Sequence, residues 1–207
     1  MTTHWNKSKF VGERLCLEFV NTINDWSNVE GATDSIPDFE SFMAWLAFAR
    51  TLNRKEIRWE IGFESADEEI QKRVMSDVRC LRSKIHDVFD PIIKGSRPDS
   101  AALSQIYTIL STAVLFVKPE VGIFSEWSSS HVRILKPSGL IYPIAFSTTR
   151  LLVENCLCYV KACDDDGCGW FFLDCSKSHK RRWCDMKTCG NRNKARRHYA
   201  KKCEVPA

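Results

Sequence analysis

The chain has 207 residues, 44% of them hydrophobic, with ten cysteines and a formal net charge of +4. That length allows one large domain or a medium domain with a small one, and the composition is that of an ordinary globular protein. No apolar run approaches the roughly 18 residues that span a bilayer, and the opening MTTHWNKSKF lacks the apolar core of a signal peptide, so a cytoplasmic protein with no membrane partner is expected.

In a reducing compartment, ten cysteines point to metal ligands or buried thiols rather than disulfides. Charge is unevenly placed. Residues 161–203 carry 12 Lys and Arg against 5 Asp, a net +7; the remainder carries 18 against 21 Asp and Glu, a net −3. Four thiolates on one divalent ion would leave the tail at about +5. A mildly acidic body with a basic tail suits a protein whose tail meets a polyanion.

Along the chain, Leu15, Phe19 and Ile23 recur at four-residue spacing with Cys16 and Val20 beside them, which predicts a mostly buried helix over 12–24. Residues 24–35 read as a polar loop. A second helix begins at 35–37, with Ser35 or Asp38 as cap, Pro37 in the first turn, and Phe39, Phe42, Met43, Leu46 and Ala49 as its apolar face. Residues 53–65 carry no clear pattern. From about Asp67, Ile70, Val74, Val78, Leu81, Ile85 and Val88 alternate steps of four and three. This predicts a long helix with Asp67, Glu68 and Glu69 at its positive end, ended or kinked by Pro91. A turn at 95–98 leads to a helix from Asp99 or Ser100 to about Ser111.

The pattern then changes. Residues 114–117 and 131–135 read as strands, 136–139 as a turn, and Pro143 opens a helix to about Glu154 with Ile144, Leu151 and Leu152 inward. Residues 156–162 read as extended. The expected division is 1–155 and 156–207, with no flexible linker between, so the C-terminal module should abut the body.

That module contains two matched thiol pairs, Cys163 with Cys168 and Cys184 with Cys189. Each pair brackets four residues, and fifteen residues separate the pairs. Such an arrangement can supply four sulfur ligands to one tetrahedral ion. The module is too short to bury a core that folds unaided. A structural zinc would supply about 10–16 kcal/mol of apparent free energy. Residues 170–173 should form a strand returning from the first pair, Gly167 and Gly169 should let the backbone turn tightly around Cys168, and Asn191 is a good cap for the helix that follows. Four thiolates leave no open position, and no carboxylate base stands among them, so the metal is structural rather than catalytic.

The strings CGWFFLD, RRWCDM and CGNRNKARRHY resemble the CGNR zinc finger of bacterial proteins. Residues 15–22, LCLEFVNT, resemble the opening of the ABATE domain that usually precedes that finger. The resemblance implies a bacterial nucleic-acid-binding protein, a stress-induced regulator of transcription. It also implies that the two matched pairs are the ligands. Cys156, Cys158, Cys175, Cys203, His179 and His198 then serve packing or surface roles.

Lys180, Arg181, Arg182, Arg192, Lys194, Arg196, Arg197, Lys201 and Lys202 flank the second pair. On a helix, Lys194, Arg197 and Lys201 share one face, with Arg192, Arg196 and Tyr199 roughly opposite. Such a helix either lies against phosphates or is a solvated basic surface; anchoring by a metal favours the first. Arg181 or Arg182 is a candidate reader of bases. DNA rather than RNA rests on the resemblance. Trp170 and Trp183 either stack on bases or form the finger's small core, and the second is expected.

In the body, Glu18, Asn21 and Thr22 either line a pocket for a small-molecule effector or bond to a neighbouring loop, the latter being favoured. His86 and Asp87 read as part of a polar helix face. The sequence has no P-loop, dinucleotide fingerprint, nucleophile elbow or HExxH, and no enzyme is expected. The reading is an α+β chain: a mainly helical N-terminal domain with a few strands that senses a ligand or mediates assembly, such as a homodimer, and a small zinc-bound hairpin-and-helix module that binds DNA. A protein-interaction adaptor with an acidic partner is the alternative, or a body that binds or transforms a small molecule.

Overall fold

A six-residue helix, α1 (Leu15–Val20), lies at the centre of the molecule with every residue buried. The structure, a computed structural model, describes residues 5, 10–26, 31–52, 58–61, 63–114, 131–134 and 136–203. Helix α1 is shorter than the 12–24 expected. Glu13 sits at φ 65°, outside the right-handed helical region, so the helix cannot begin earlier. At the other end, Thr22 Oγ1 turns back to donate to the Phe19 carbonyl at 2.6 Å, and Ile23 forms an isolated bridge with Asp34.

Helix α2 (Phe39–Leu52) is capped by Asp38, whose carboxylate accepts the Ser41 N–H at 2.8 Å. Pro37 therefore stands before the cap rather than in the first turn. The helix buries Phe42, Leu46 and Ala49 as expected, together with Trp45, one of the largest fully buried side chains.

Helix α3 (Glu68–Ile93) begins at Asp67, which accepts the Ile70 N–H at 2.8 Å. It buries Val74, Val78, Leu81, Ile85 and Val88, whereas Ile70 is 37% exposed because the first turn projects past the core. Pro91 does not end the helix. It stands in the last turn, where its missing N–H costs a single interior bond, and Lys94 N–H still reaches the Asp90 carbonyl at 3.1 Å.

Helix α4 (Ser100–Val114) follows Asp99, which accepts from the Ala101 and Ala102 N–H groups. Val114 is thus helical, against the expected strand: its β-branched side chain carries a strand preference that the continuing helix overrides. Residues 115–117 of that expected strand lie outside the described residues. Strand β1 (Arg58–Ile61), in the stretch without a sequence pattern, pairs parallel with β2 (His131–Ile134). The turn at 136–139 is the start of a 3-10 helix (Pro137–Ile141) that runs into α5 (Tyr142–Val153), which buries Ile144 and Leu151. The segment 156–162 is only half extended: a 3-10 turn (Leu157–Tyr159) precedes β3 (Val160–Ala162).

Strand β3 pairs antiparallel with β4 (Phe171–Leu173). Alternation along β4 divides its side chains between two cores. Phe171 and Leu173, with Val160, join the main core of α1, α2, α3 and α5; Phe172 packs among the cysteines. Helix α6 (Asn191–Cys203) ends the described chain. The fold is α+β and mainly helical, with the hairpin welded to the helical body by shared apolar side chains. Among the described residues, no helix is long and apolar enough to cross a membrane.

Candidate metal centre and nucleic-acid interface

The hairpin positions the first thiol pair. Cys163 follows β3 directly, and its N–H donates to the Trp170 carbonyl at 2.8 Å. Cys168 N–H donates to the Asp165 carbonyl at 2.8 Å, closing a tight turn, and Gly169 continues at φ 64°, a conformation that favours glycine. Cys184 N–H lies 3.4 Å from Cys163 Sγ and so points at the first pair. Cys189 sits in a π-helical turn (Met186–Gly190). Asp185 caps that turn by accepting from Thr188 N–H and Oγ1 at 3.0 and 3.1 Å. The cap is therefore Asp185, not Asn191: Asn191 already has helical backbone angles, and its Nδ2 donates back to the Lys187 carbonyl at 3.0 Å. A side chain at Gly190 would meet the Met186 sulfur at 2.5 Å, so the turn closes over a bare backbone there.

The four Sγ atoms all lie within 4.8 Å of one another, with Cys168–Cys184 and Cys184–Cys189 at 3.6 Å. Thiolates about 2.3 Å from a tetrahedral zinc lie about 3.8 Å apart, so the donor set and its spacing fit one structural zinc ion. The electrostatics of the cluster suit a cation. Thiol hydrogen bonds from Cys168 and Cys184 pull the Cys163 thiol far down, and those same contacts push Cys168 up to about 12 and Cys184 up as well. Four thiolates this close coexist only around a positive ion.

Two buried carboxylates brace the centre. Asp174 accepts from Lys161 Nζ (2.8 Å), Ser176 N–H (3.1 Å), Ser176 Oγ (2.6 Å) and Arg181 N–H (2.8 Å). Burial raises its carboxyl, but these donors, Lys161 foremost, outweigh it and hold the group well below the usual carboxylate range. Asp165, with a fully buried side chain, accepts from Arg192 Nε at 2.6 Å and Nη2, and from Arg196 Nη1 at 2.8 Å. Arg192 Nη2 also reaches Cys189 Sγ at 3.4 Å.

These pairings sort the cations expected to meet nucleic acid. Arg181 is turned inward: Nε donates to the Trp183 carbonyl at 2.9 Å, Nη2 to the Cys184 carbonyl, and the guanidinium covers the Phe172 ring at 4.5 Å. These contacts hold it against the metal knuckle. Arg182 pairs with Asp164 at 2.7 Å. Lys180, Lys194 and Arg197 are exposed and, among the described residues, form no ion pair. Lys201 and Lys202 lie on the last turn of α6; their side chains fall outside the described residues. Trp170 and Trp183 pack against the cysteine cluster, as expected of a small core.

The outer edge of β4 is sealed by the body. Asn21 Oδ1 accepts the Phe171 N–H and its Nδ2 donates to the Phe171 carbonyl, both at 2.8 Å. Leu173 N–H donates to the Gly12 carbonyl at 3.0 Å, and Trp170 Nε1 to the Ile23 carbonyl at 3.2 Å. Thr22 Oγ1 accepts from Arg82 Nη1 at 2.8 Å, and Arg82 forms a two-pronged pair with Asp34 at 2.8 and 2.5 Å. Glu18 Oε1 accepts the Gly12 and Glu13 N–H groups at 2.9 and 3.0 Å, while Oε2 has no hydrogen-bond partner. Burial pushes the Glu18 carboxyl up to about 8 despite those two bonds.

Of the two readings of Glu18, Asn21 and Thr22, the geometry fits internal bonding rather than a pocket: all three are buried and hydrogen-bonded within the chain. None of them lines the open cleft of about 600 Å³ between α3 and the metal loop, whose walls include Asp25, Trp26, His86, Asp90 and Lys94. His86 is more than part of a polar face. Its ring stacks between Trp26 (4.3 Å) and Phe171 (5.3 Å). Burial holds its imidazole below the usual value, against the opposing pull of Asp90 and Asp87. Sequence reasoning also missed the roles of Asp165 and Asp174. A run of three aspartates between two ligands, close to an arginine-rich helix, was the available signal for Asp165; Asp174 offered none.

Comparison with known families agrees with this anatomy. Residues 13–152 match the ABATE family model, described as "Putative stress-induced transcription regulator", and residues 159–202 match the CGNR zinc finger. No curated protein matches the chain. With more than half of its length under the first model and the four-thiolate centre inside the second, the chain belongs to the ABATE family and carries a C-terminal CGNR zinc finger.

Proposed function

We propose that the protein is a zinc-dependent transcription regulator that binds duplex DNA through α6 and the metal knuckle. The observation that carries this reading is the state of α6 beyond its first turn. Residues 194–200 are all exposed, the helix has no apolar face, and Lys194 and Arg197 have no ion-pair partner among the described residues. An α-helix with side chains is about 10–12 Å wide, a width that the major groove of B-DNA admits and the deep, narrow groove of A-form RNA does not. The four-thiolate zinc leaves no open coordination position, which suits a binding role rather than a catalytic one. The N-terminal body would sense a small-molecule effector or mediate assembly, such as homodimerisation, and the seat of β4 on α1 would pass that state to the finger.

The test is duplex binding by the Lys194→Ala, Arg197→Ala double variant, with zinc content measured alongside. Weakened binding with one zinc per chain supports the reading. Undiminished binding removes α6 from the interface. Binding to an acidic protein with none to duplex would make the finger a protein-interaction module.

A further inference from the structure

The cations of the finger fall into two sets that the sequence does not separate. Asp165 holds Arg192 and Arg196, and Asp164 holds Arg182 at 2.7 Å. Asp165 is 1% exposed, and its carboxylate is shared by two guanidiniums one helical turn apart, so it fixes the rotation of α6 about its axis. At about 100° per residue, Lys194 and Arg197 then point away from that carboxylate. A further cation is one that neither the family match nor the basic run of α6 brings forward. Lys187 lies in the π-helical turn between Cys184 and Cys189, is exposed, and has no ion pair among the described residues. Metal ligands on either side hold the backbone of that turn, and Asp185 caps it. The turn continues without a break into α6, and from Asn191 to Arg197 alone the helix advances about 9 Å at 1.5 Å per residue.

We infer that the aspartates of the first cysteine loop set the direction of the arginines they pair with, and that the phosphate-contacting set is Lys187, Lys194 and Arg197, with Arg192 and Arg196 as positioning residues. This rests on the proposed DNA-binding reading. The ligand class is the phosphate backbone of a nucleic-acid duplex. Duplex DNA carries one charge per about 1.7 Å of axis, so a helix of this length meets several phosphates. A guanidinium held by a buried carboxylate has its direction set by that pair, and only its remaining N–H donors are free to turn to a phosphate.

Arg196 and Arg197 make the test sharp, since they are neighbours with the same chemistry and opposite assignments. Full-length, zinc-loaded protein would be titrated against random duplex DNA over a salt series for the wild type, Lys187→Gln, Arg196→Gln and Arg197→Gln. Each lost phosphate contact lowers the slope of log affinity against log salt by about 0.9. The expected result is a loss of about one in slope for Lys187→Gln and for Arg197→Gln, each with one zinc retained, and a wild-type slope for Arg196→Gln even if its affinity falls. Loss of zinc from Arg196→Gln would also support its internal role, and the other two variants would still test the contacts. A reduced slope for zinc-loaded Arg196→Gln with an unchanged slope for Lys187→Gln would overturn the sorting while leaving DNA binding intact. A wild type that does not bind duplex at low salt would overturn both.

Discussion

The side chain of Asn21 pairs with the backbone of Phe171 through two hydrogen bonds of 2.8 Å, across 150 residues of sequence. In this geometry the asparagine amide stands in for a third strand beside β4. It joins the opening motif of the ABATE domain to the zinc hairpin. Replacing Asn21 with Ala leaves the Phe171 N–H and carbonyl buried without partners. At about 1–3 kcal/mol for each unsatisfied group, the expected cost is about 2–6 kcal/mol of unfolding free energy, measurable by urea denaturation. A loss within about 0.5 kcal/mol would mean that the pair is replaced by water.

Zinc removal should weaken more than the finger. Phe171, Leu173 and Val160 belong to the core that contains α1, α3 and α5. Chelation should therefore lower the helical melting midpoint of the whole chain. At about 2–4 °C per kcal/mol for a chain of this size, the loss of several kcal/mol shifts it by about 10 °C or more. Circular dichroism at the helical minimum reads this directly. An unchanged midpoint would show that the two regions fold independently.

Glu18 gives the stability a pH dependence of a stated sign. Its folded value, about 8, lies above the ordinary carboxyl value of 4.5, so between those values the folded state holds a proton that the unfolded chain has lost. Stability from this group is thus full below about 4.5 and declines as pH rises towards 8, by up to about 1.4 kcal/mol per pH unit. Glu18→Gln should flatten that part of the profile. Equal slopes for wild type and variant from pH 5 to pH 8 would contradict the assignment.

The pair between Arg82 and Asp34 is unequal in burial, with side chains 3% and 31% exposed. Removing the acid strands a guanidinium inside the body with only Thr22 Oγ1 as partner. Asp34→Ala should cost about 3 kcal/mol, the lower end of the range for breaking a buried pair, since Asp34 itself is partly solvated. The readout is the urea midpoint at neutral pH.

What the sequence revealed follows from what is local. The apolar faces of α2 and α3 were legible because helical spacing writes them every three or four residues, and Asp67 was legible as a start signal. The four ligands were legible because a hairpin places paired cysteines at fixed intervals. The pairing of β1 with β2 was not, since a parallel partner some 70 residues away leaves no mark on either strand. Nor was the partner of Asn21, or the division of the arginines by Asp165. A basic run looks the same in sequence whether its charges are free or paired, and only the fold of the first cysteine loop tells Arg196 from Arg197. Trp45 lies on the same helical face as Phe42 and Ala49, and its burial was readable but overlooked.

The most direct test of zinc-dependent DNA binding is fluorescence anisotropy of a random duplex against the full-length protein, zinc-loaded and after chelation, across a salt series with metal content measured by mass spectrometry. Binding that requires the metal and weakens steeply as salt rises is the expected result, since α6 would meet phosphates only while the knuckle holds it. No binding at low salt by protein that carries one zinc per chain would contradict it.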